Sequence, residues 1–318
     1  MTPAKVAFRV PGMAKARKIT TAGHRYALGG DSLEAPPAKT GLYLVATPIG
    51  NLRDISLRAL EILAAADVIA CEDSRVTRKL TEHYGIATPL TPYHEHNAAE
   101  ARPKILARLA DGQTVALVSD AGTPLISDPG YRLVREAIEA GFTVIPVPGA
   151  SAMLTALAAA GLPTDRFFFE GFLPPKQMGR QKRIAELGVI PATLVLFESG
   201  PRLAAALADL AAGLGPRQAA ICRELTKLHE EIRRDDLEKL ARHYEAGAEI
   251  RGEIVIVVAP PGDDADNADD VDDLLRQALA RVSVKDAVGE VALATGRPRR
   301  EVYQRALDLT KDNGDGAP

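Results

Sequence analysis

Short runs of consecutive apolar residues alternate along this chain with stretches whose apolar positions recur every three or four residues. From Gly41 onward, LYLVAT (42–47), DVIACE (67–72), TVALVSD (114–120) and FTVIPVPG (142–149) read as buried strands. Between them the helical period predicts helices near 55–65, 74–83, 98–110, 129–140 and 150–160. Apolar strands separated by helices of this length make βαβ units, so 41–162 is expected to be an α/β domain on a mostly parallel sheet. A second α/β domain is expected over 163–260. Its strands fall near 193–198, 217–223 and 253–259, and its helices near 178–188, 201–213 and 235–246.

The end of the chain has a different character. Turn residues and aspartates make 261–273 an acidic linker. A helical appendage over 274–310 follows, with helical patterns at 271–282, 284–294 and 298–309. Gly296 closes the second pattern and Pro298 opens the third, with Arg297, Arg299 and Arg300 clustered at the turn. Both a helix-turn-helix and a small capping bundle fit that pattern.

Composition adds bounds. The 318 residues are 46% hydrophobic and 25% charged, enough for two cored units and an appendage. A net charge of −3 gives no global pull toward nucleic acid. Charge is segregated, however: 263–273 carries seven Asp and no base, whereas 276–311 carries eight Lys or Arg against four acids. Any nucleic-acid contact must therefore be local. The lack of Trp counts against a bare RNA-binding module, which needs stacking platforms.

Cys71 and Cys222 each sit in an apolar run and are expected to be buried thiols of a reducing, cytoplasmic compartment. No cysteine and histidine spacing suits zinc, and the HEHN of 94–97 lacks further ligands, so no metal is expected. No apolar run has the length of a membrane span. Residues 1–40 are basic and lack the apolar core of a secretory signal. They are expected to form a disordered extension, with a transit peptide or an RNA-touching arm as alternatives.

The unusual chemistry lies at the strand ends TPIGNL, CEDSR, SDAGTP and VPGAS, where open α/β sheets bind ligands. Pro48 and Gly50 make a tight turn and Asn51 can cap the next helix, but this is not the dinucleotide fingerprint. Asp120, Ala121, Gly122 and Thr123 form a loop whose backbone a ligand can approach; a plain turn capped by Asp120 is the alternative. Gly149, Ala150, Ser151 and Ala152 open a helix with small side chains, leaving room for a ligand or for close helix packing.

TPIGNLRDISLRALEIL, CEDSR, YHEHN, VALVSDAGTPLISDPG, VPGASA, CRELTK and RGEIVIVV follow one another in order. In that order and spacing, over about 41–260, they resemble the bacterial 16S ribosomal RNA (cytidine-2′-O)-methyltransferases of the tetrapyrrole methylase superfamily. The resemblance implies a two-domain fold with S-adenosyl-L-methionine in the cleft between domains, and a homodimer. It also implies methylation of a cytidine ribose in the decoding region of 16S rRNA within the small ribosomal subunit. Carried over by motif, the cofactor-binding set is Pro48, Gly50, Asn51, Asp120, Ala121, Gly122, Thr123, Ile126, Ser151, Ala152, Gly252 and Glu253.

A ribose hydroxyl is a poor nucleophile, and a positioned base contributes roughly 10²–10⁴-fold. The candidate catalytic residues are Glu72, Asp73, His94, Glu198, Arg223, Glu224 and Lys227, with Arg223 and Lys227 suited to phosphate or developing charge. An ion-pair network joining the domains is the alternative role for this group. The chain departs from the family where ESxHR becomes ESGPR, which leaves no role for that histidine. Rival functions are a tetrapyrrole C-methyltransferase or a diphthine-synthase-like methylase, and, from another class, a DNA-binding regulator.

Overall fold

The computed structural model describes residues 24–128, 130–246, 250–261, 267–295 and 298–312. The chain opens with an antiparallel hairpin, β1 (Arg25–Leu28) and β2 (Asp31–Glu34). Gly29 and Gly30 turn it, at φ +61° and +96°, values that suit glycine. The expectation of a disordered extension over 1–40 is therefore corrected for residues 24–40; residues 1–23 lie outside the described residues. Burial is the reason. Tyr26 and Ala35 join the core formed by Leu60, Leu63 and Tyr84, and the Ala27 N–H donates to the Tyr84 carbonyl at 2.7 Å.

The first unit runs β3 (Gly41–Val45), α1 (Leu57–Ala65), β4 (Val68–Cys71), α2 (Ser74–His83) and β5 (Leu90–Pro92). It continues with α3 (Ala98–Ala110), β6 (Thr114–Val118), α4 (Tyr131–Glu139) and β7 (Val144–Val147). The sheet order is β5-β4-β6-β3-β7 with every pairing parallel. Helices α1 and α2 bury Leu60, Leu63 and Leu80 on one face, and α3 and α4 bury Ile105, Leu109 and Leu133 on the other. Strands covered on both faces are apolar throughout, which is why they were readable as continuous runs.

Next come α5 (Ala152–Ala160), β8 (Phe167–Phe172), α6 (Gln177–Gly188), β9 (Thr193–Ser199) and α7 (Gly200–Leu214). The unit ends with β10 (Gln218–Arg223), β11 (Glu231–Asp236), α8 (Leu237–Glu245) and β12 (Glu253–Val258). This second sheet has the order β11-β10-β12-β9-β8, antiparallel except where β8 joins β9. By packing, α5 belongs here and not with 41–162: Ala156, Leu157 and Ala160 pack with Val195, Ala220 and Val257. Its run of alanines lets helix and sheet approach closely, and no strong polar face ties it to the first unit.

The appendage is a bundle of α9 (Asn267–Leu279), α10 (Val284–Thr295) and α11 (Arg299–Asp312) around Leu275, Ala287, Val291 and Val302. An acidic linker over 261–273 is thus too long, since α9 begins at Asn267. Asp272 is not solvated with its neighbours; it is 3% exposed, and Arg305 donates to both its oxygens at 2.7 and 2.6 Å. Gly296 and Arg297 lie outside the described residues. Among the described residues no helix is long and apolar enough to cross a membrane.

Candidate active site

The carboxyl ends of β3 and β6, the start of α5, and the edge where β9, β10 and β12 meet enclose a cleft of about 290 Å³. From the first unit, the turn after β3 and the loop after β6 are stitched by two backbone hydrogen bonds. The Thr47 N–H donates to the Gly122 carbonyl at 2.9 Å, and the Gly122 N–H to the Thr47 carbonyl at 3.0 Å. Gly122 has φ +80°, and a Cβ there would stand 3.4 Å from Ile49 Cγ2. Across the loop the Thr123 hydroxyl donates to the Ala150 carbonyl at 3.3 Å, and Ser151 caps α5 by accepting from the Leu154 N–H. The result is a wall made largely of backbone, with Ala121, Gly122, Thr123, Ile126, Ser151 and Ala152 facing the cavity.

The second unit supplies Gly252, Glu253, Ile254, Val255 and Glu198. Glu198 is 3% exposed. Its Oε1 accepts from the Ser199 N–H at 2.8 Å and lies 3.2 Å from Arg202 Nε, whereas its Oε2 is buried with no partner among the described residues. A buried carboxylate oxygen without a donor is costly. In ESGPR the place of the family's histidine is taken by Pro201. Gly200 packs directly on the Ile250 carbonyl, where a side chain would collide, and Pro201 occupies the first turn of α7.

Backbone strain gathers at two loops. Every non-glycine residue with positive φ among the described residues lies there: Leu125 (74°) and Ser127 (62°) after β6, Glu224 (50°) and Thr226 (66°) after β10. Side chains of both loops line the cleft, through Ile126, Ser127 and Asp128 on one side and Leu225 on the other. Strain of this kind persists where surrounding structure over-determines it, commonly at functional sites.

The remaining sequence-predicted residues hold the frame. Asp73 caps α2 and grips the Arg75 guanidinium, whose hydrogen bonds pull its carboxyl down to about 2; its own N–H donates to Asp120 Oδ1 at 2.9 Å. Glu72 stands beside that pair, its pKa raised by burial and then by the charges of Asp120 and Asp128. His94 lies in the turn between β5 and α3, where its N–H donates to Asn97 Oδ1 at 2.8 Å. Asn51 caps the short 3₁₀ turn Leu52–Asp54 and donates its N–H to Thr226 Oγ1 at 3.1 Å. Half-buried Pro48 leads into Gly50, whose backbone lies directly under the Lys227 side chain.

Lys227 in turn bridges Glu224 and Glu253, each at 2.8 Å. Burial works against its ammonium, but the two carboxylates outweigh it and raise its pKa. Arg223 pairs with Glu231 at 3.2 Å. TPIGNL and RELTK therefore form a clasp between the two units at the cleft's rim. None of Glu72, Asp73, His94, Arg223, Glu224 or Lys227 lines the cavity itself.

The cavity wall also holds residues that sequence reasoning did not select: Ile49, Ser127, Asp128, Phe172, Phe197, Ser199, Cys222, Leu225 and Val255. Phe172 and Phe197 meet edge to face at 5.7 Å, an arrangement aromatic pairs favour. Burial pushes the Cys222 thiol up to about 11, which leaves it inert. Asp128 is held up chiefly by burial and then by the Asp120 charge, against a hydrogen bond from Ser119. The sequence signal for it was its place in DPG, just beyond the SDAGTP loop.

The family model for tetrapyrrole (corrin/porphyrin) methylases matches residues 41–241, and that of the RsmI C-terminal HTH domain matches residues 264–310. The diphthine synthase fold overlays with a TM-score of 0.54 at 20% identity, covering 69% of this chain and 89% of that one. Fold and cleft thus define a methyltransferase of the tetrapyrrole methylase class. The ribosomal RNA small subunit methyltransferase I of Mesorhizobium japonicum is 53% identical over 290 residues, 91% of this chain and 99% of that one. Its counterpart in Halalkalibacterium halodurans is 45% identical over 272 residues, 83% and 94% of the two chains. The chain belongs to the ribosomal RNA small subunit methyltransferase I family.

Proposed function

We propose that this protein uses S-adenosyl-L-methionine to methylate the 2′-hydroxyl of a cytidine in the decoding region of 16S rRNA, within the small ribosomal subunit. The composite wall of the cleft carries the reading. Backbone from Ala121 to Thr123 and apolar side chains such as Ile49, Phe197 and Leu225 suit a nucleoside and an aliphatic amino-acid chain, and the unpartnered Glu198 Oε2 suits an ammonium or hydroxyl donor. When bound, the cofactor supplies a methyl group on a sulfonium, open to in-line displacement by an oxygen.

The protein's part is mostly alignment, which is worth most when groups are held rigidly. Ala121, Gly122 and Thr123 hold one side of the cleft, and Gly252, Glu253 and Ile254 hold the other. The clasp of Asn51, Thr226 and Lys227 fixes the distance between them. With the cofactor and a ribose in the cleft, the Asp128 carboxylate on its wall would take the proton of the attacking hydroxyl. Burial raises the pKa of Asp128, which makes its carboxylate a better proton acceptor than an ordinary aspartate.

A net charge of −3 and few aromatics favour a target whose shape is already formed, so assembled subunits are preferred over protein-free RNA. Incubation with methyl-labelled cofactor and either intact 30S particles, stripped 16S RNA, a tetrapyrrole precursor or elongation factor tests the substrate. Label is expected in the RNA of the particles; label on the tetrapyrrole or the factor overturns the reading. The protein is further proposed to act as a cytoplasmic homodimer. Light scattering at micromolar concentration should give twice the chain mass of 33.8 kDa, and a monomer contradicts that part.

A further inference from the structure

Among the described residues, the cations of the C-terminal bundle fall into two groups. Arg305 is spent on Asp272, Arg276 pairs with Asp273 at 2.8 Å, and Arg281 pairs with Glu290 at 2.6 Å. These three are neutralised within the bundle. Lys285, Arg299 and Arg300 are exposed, and none of them forms an ion pair with another described residue. All three border one open cavity of about 620 Å³ between α10 and α11, together with Asp286, Val288, Gly289 and Tyr303.

Three like charges around one cavity repel one another, and among the described residues none of the three is ion-paired. Asp286 is the sole acid on the lining, and its carboxylate already accepts from the Ser283 hydroxyl at 2.6 Å. Gly289 gives the Arg299 guanidinium room against α10, since a Cβ there would stand 3.2 Å from Arg299 Nη2. Tyr303 is 48% exposed and presents a ring beside the cations. Unpaired arginine and lysine next to an exposed ring match the chemistry of a nucleic-acid strand, where phosphates need cations and unstacked bases need an aromatic face. An acidic peptide would use the charges but leave the ring without a partner.

We infer that this cavity is an RNA-backbone clamp: Lys285, Arg299 and Arg300 take phosphates of the ribosomal RNA, and Tyr303 stacks on an unpaired base. The inference rests on the proposed RNA substrate and assigns it a second point of contact, distinct from the cleft.

The test measures binding of the full-length protein to 30S particles across a range of potassium chloride concentrations. Each phosphate contact contributes about 0.7–0.9 to the slope of log affinity against log salt. The triple variant Lys285→Ala, Arg299→Ala, Arg300→Ala should bind roughly 10-fold or more weakly near 0.1 M salt, with a slope shallower by about two. Cofactor affinity, measured by calorimetry, should match the wild type and confirms that the variant is folded. Arg299→Lys with Arg300→Lys should restore most of the slope, and Tyr303→Ala should weaken binding without changing it. A triple variant that binds cofactor and keeps the wild-type slope overturns the clamp while leaving the RNA substrate intact. Wild-type protein that neither binds nor methylates the particle overturns the substrate reading, and the clamp with it.

Discussion

Gly252 and Glu224 are in such close register that a Cβ on Gly252 would stand 2.5 Å from Glu224 Oε1. Gly252 also has φ +101°, a conformation costly for any other residue. That oxygen accepts from the Glu253 N–H at 3.0 Å and from Lys227 Nζ at 2.8 Å, and the Lys227 hydrogen bond leads in holding the Glu224 carboxyl below its ordinary range. Gly252→Ala should therefore disturb the clasp and the cleft together. We expect about 1–3 kcal/mol of lost stability and weaker cofactor binding, read from chemical denaturation and calorimetry. An alanine variant with unchanged values in both would show that the clasp has slack.

Gly122→Val addresses the opposite wall. At φ +80° a β-branched side chain is strained, and its methyl groups would project toward Ile49 and the cavity. Cofactor binding should be lost in a protein that still folds. Unchanged affinity in calorimetric titration would remove the SDAGTP loop from the site.

Asp128 predicts a pH dependence in both stability and rate. Its folded pKa is raised, so the folded protein holds this proton more tightly than the unfolded chain does. The associated stability is fully present below the ordinary aspartate value of about 4, and is lost as pH rises through the folded pKa. Asp128→Asn should remove that decline. The rate should behave in the reverse sense, rising as Asp128 loses its proton, and the variant should lose roughly 10²–10⁴-fold in turnover together with that limb of the profile. A full-rate Asp128→Asn enzyme assigns the proton to another acceptor.

The first sheet was legible because strands buried on both faces cannot alternate, and the loops at their carboxyl ends carried most of the residues that form the first wall. Where the signal was short or ambiguous, sequence reading fell short. β5 has three residues and ends in Pro92, too brief for a period to show. The hairpin at 25–34 has a single local signal, the Gly29-Gly30 turn, and that turn lies in a basic stretch. Helix α9 begins among aspartates that resemble a linker until Arg305 is seen on Asp272.

The second wall posed a different problem. Phe172, Phe197, Cys222 and Val255 face the cleft but have the composition of ordinary core strand residues. Only the three-dimensional meeting of β9, β10 and β12 distinguishes a cavity wall from a core. For the same reason α5 could be placed as a helix from its sequence but not assigned to the sheet it packs on.

Alkaline hydrolysis reports ribose methylation of a single nucleotide in the small subunit. A methylated 2′-oxygen cannot attack the adjacent phosphodiester, so one bond in the treated RNA resists cleavage. We predict that 16S RNA from 30S particles incubated with this protein and S-adenosyl-L-methionine shows a single new gap in the hydrolysis ladder, at a cytidine of the decoding region. The gap should be absent when cofactor is withheld. RNA that carries label yet gives an unbroken ladder would place the methyl group on a base and overturn the proposed ribose methylation.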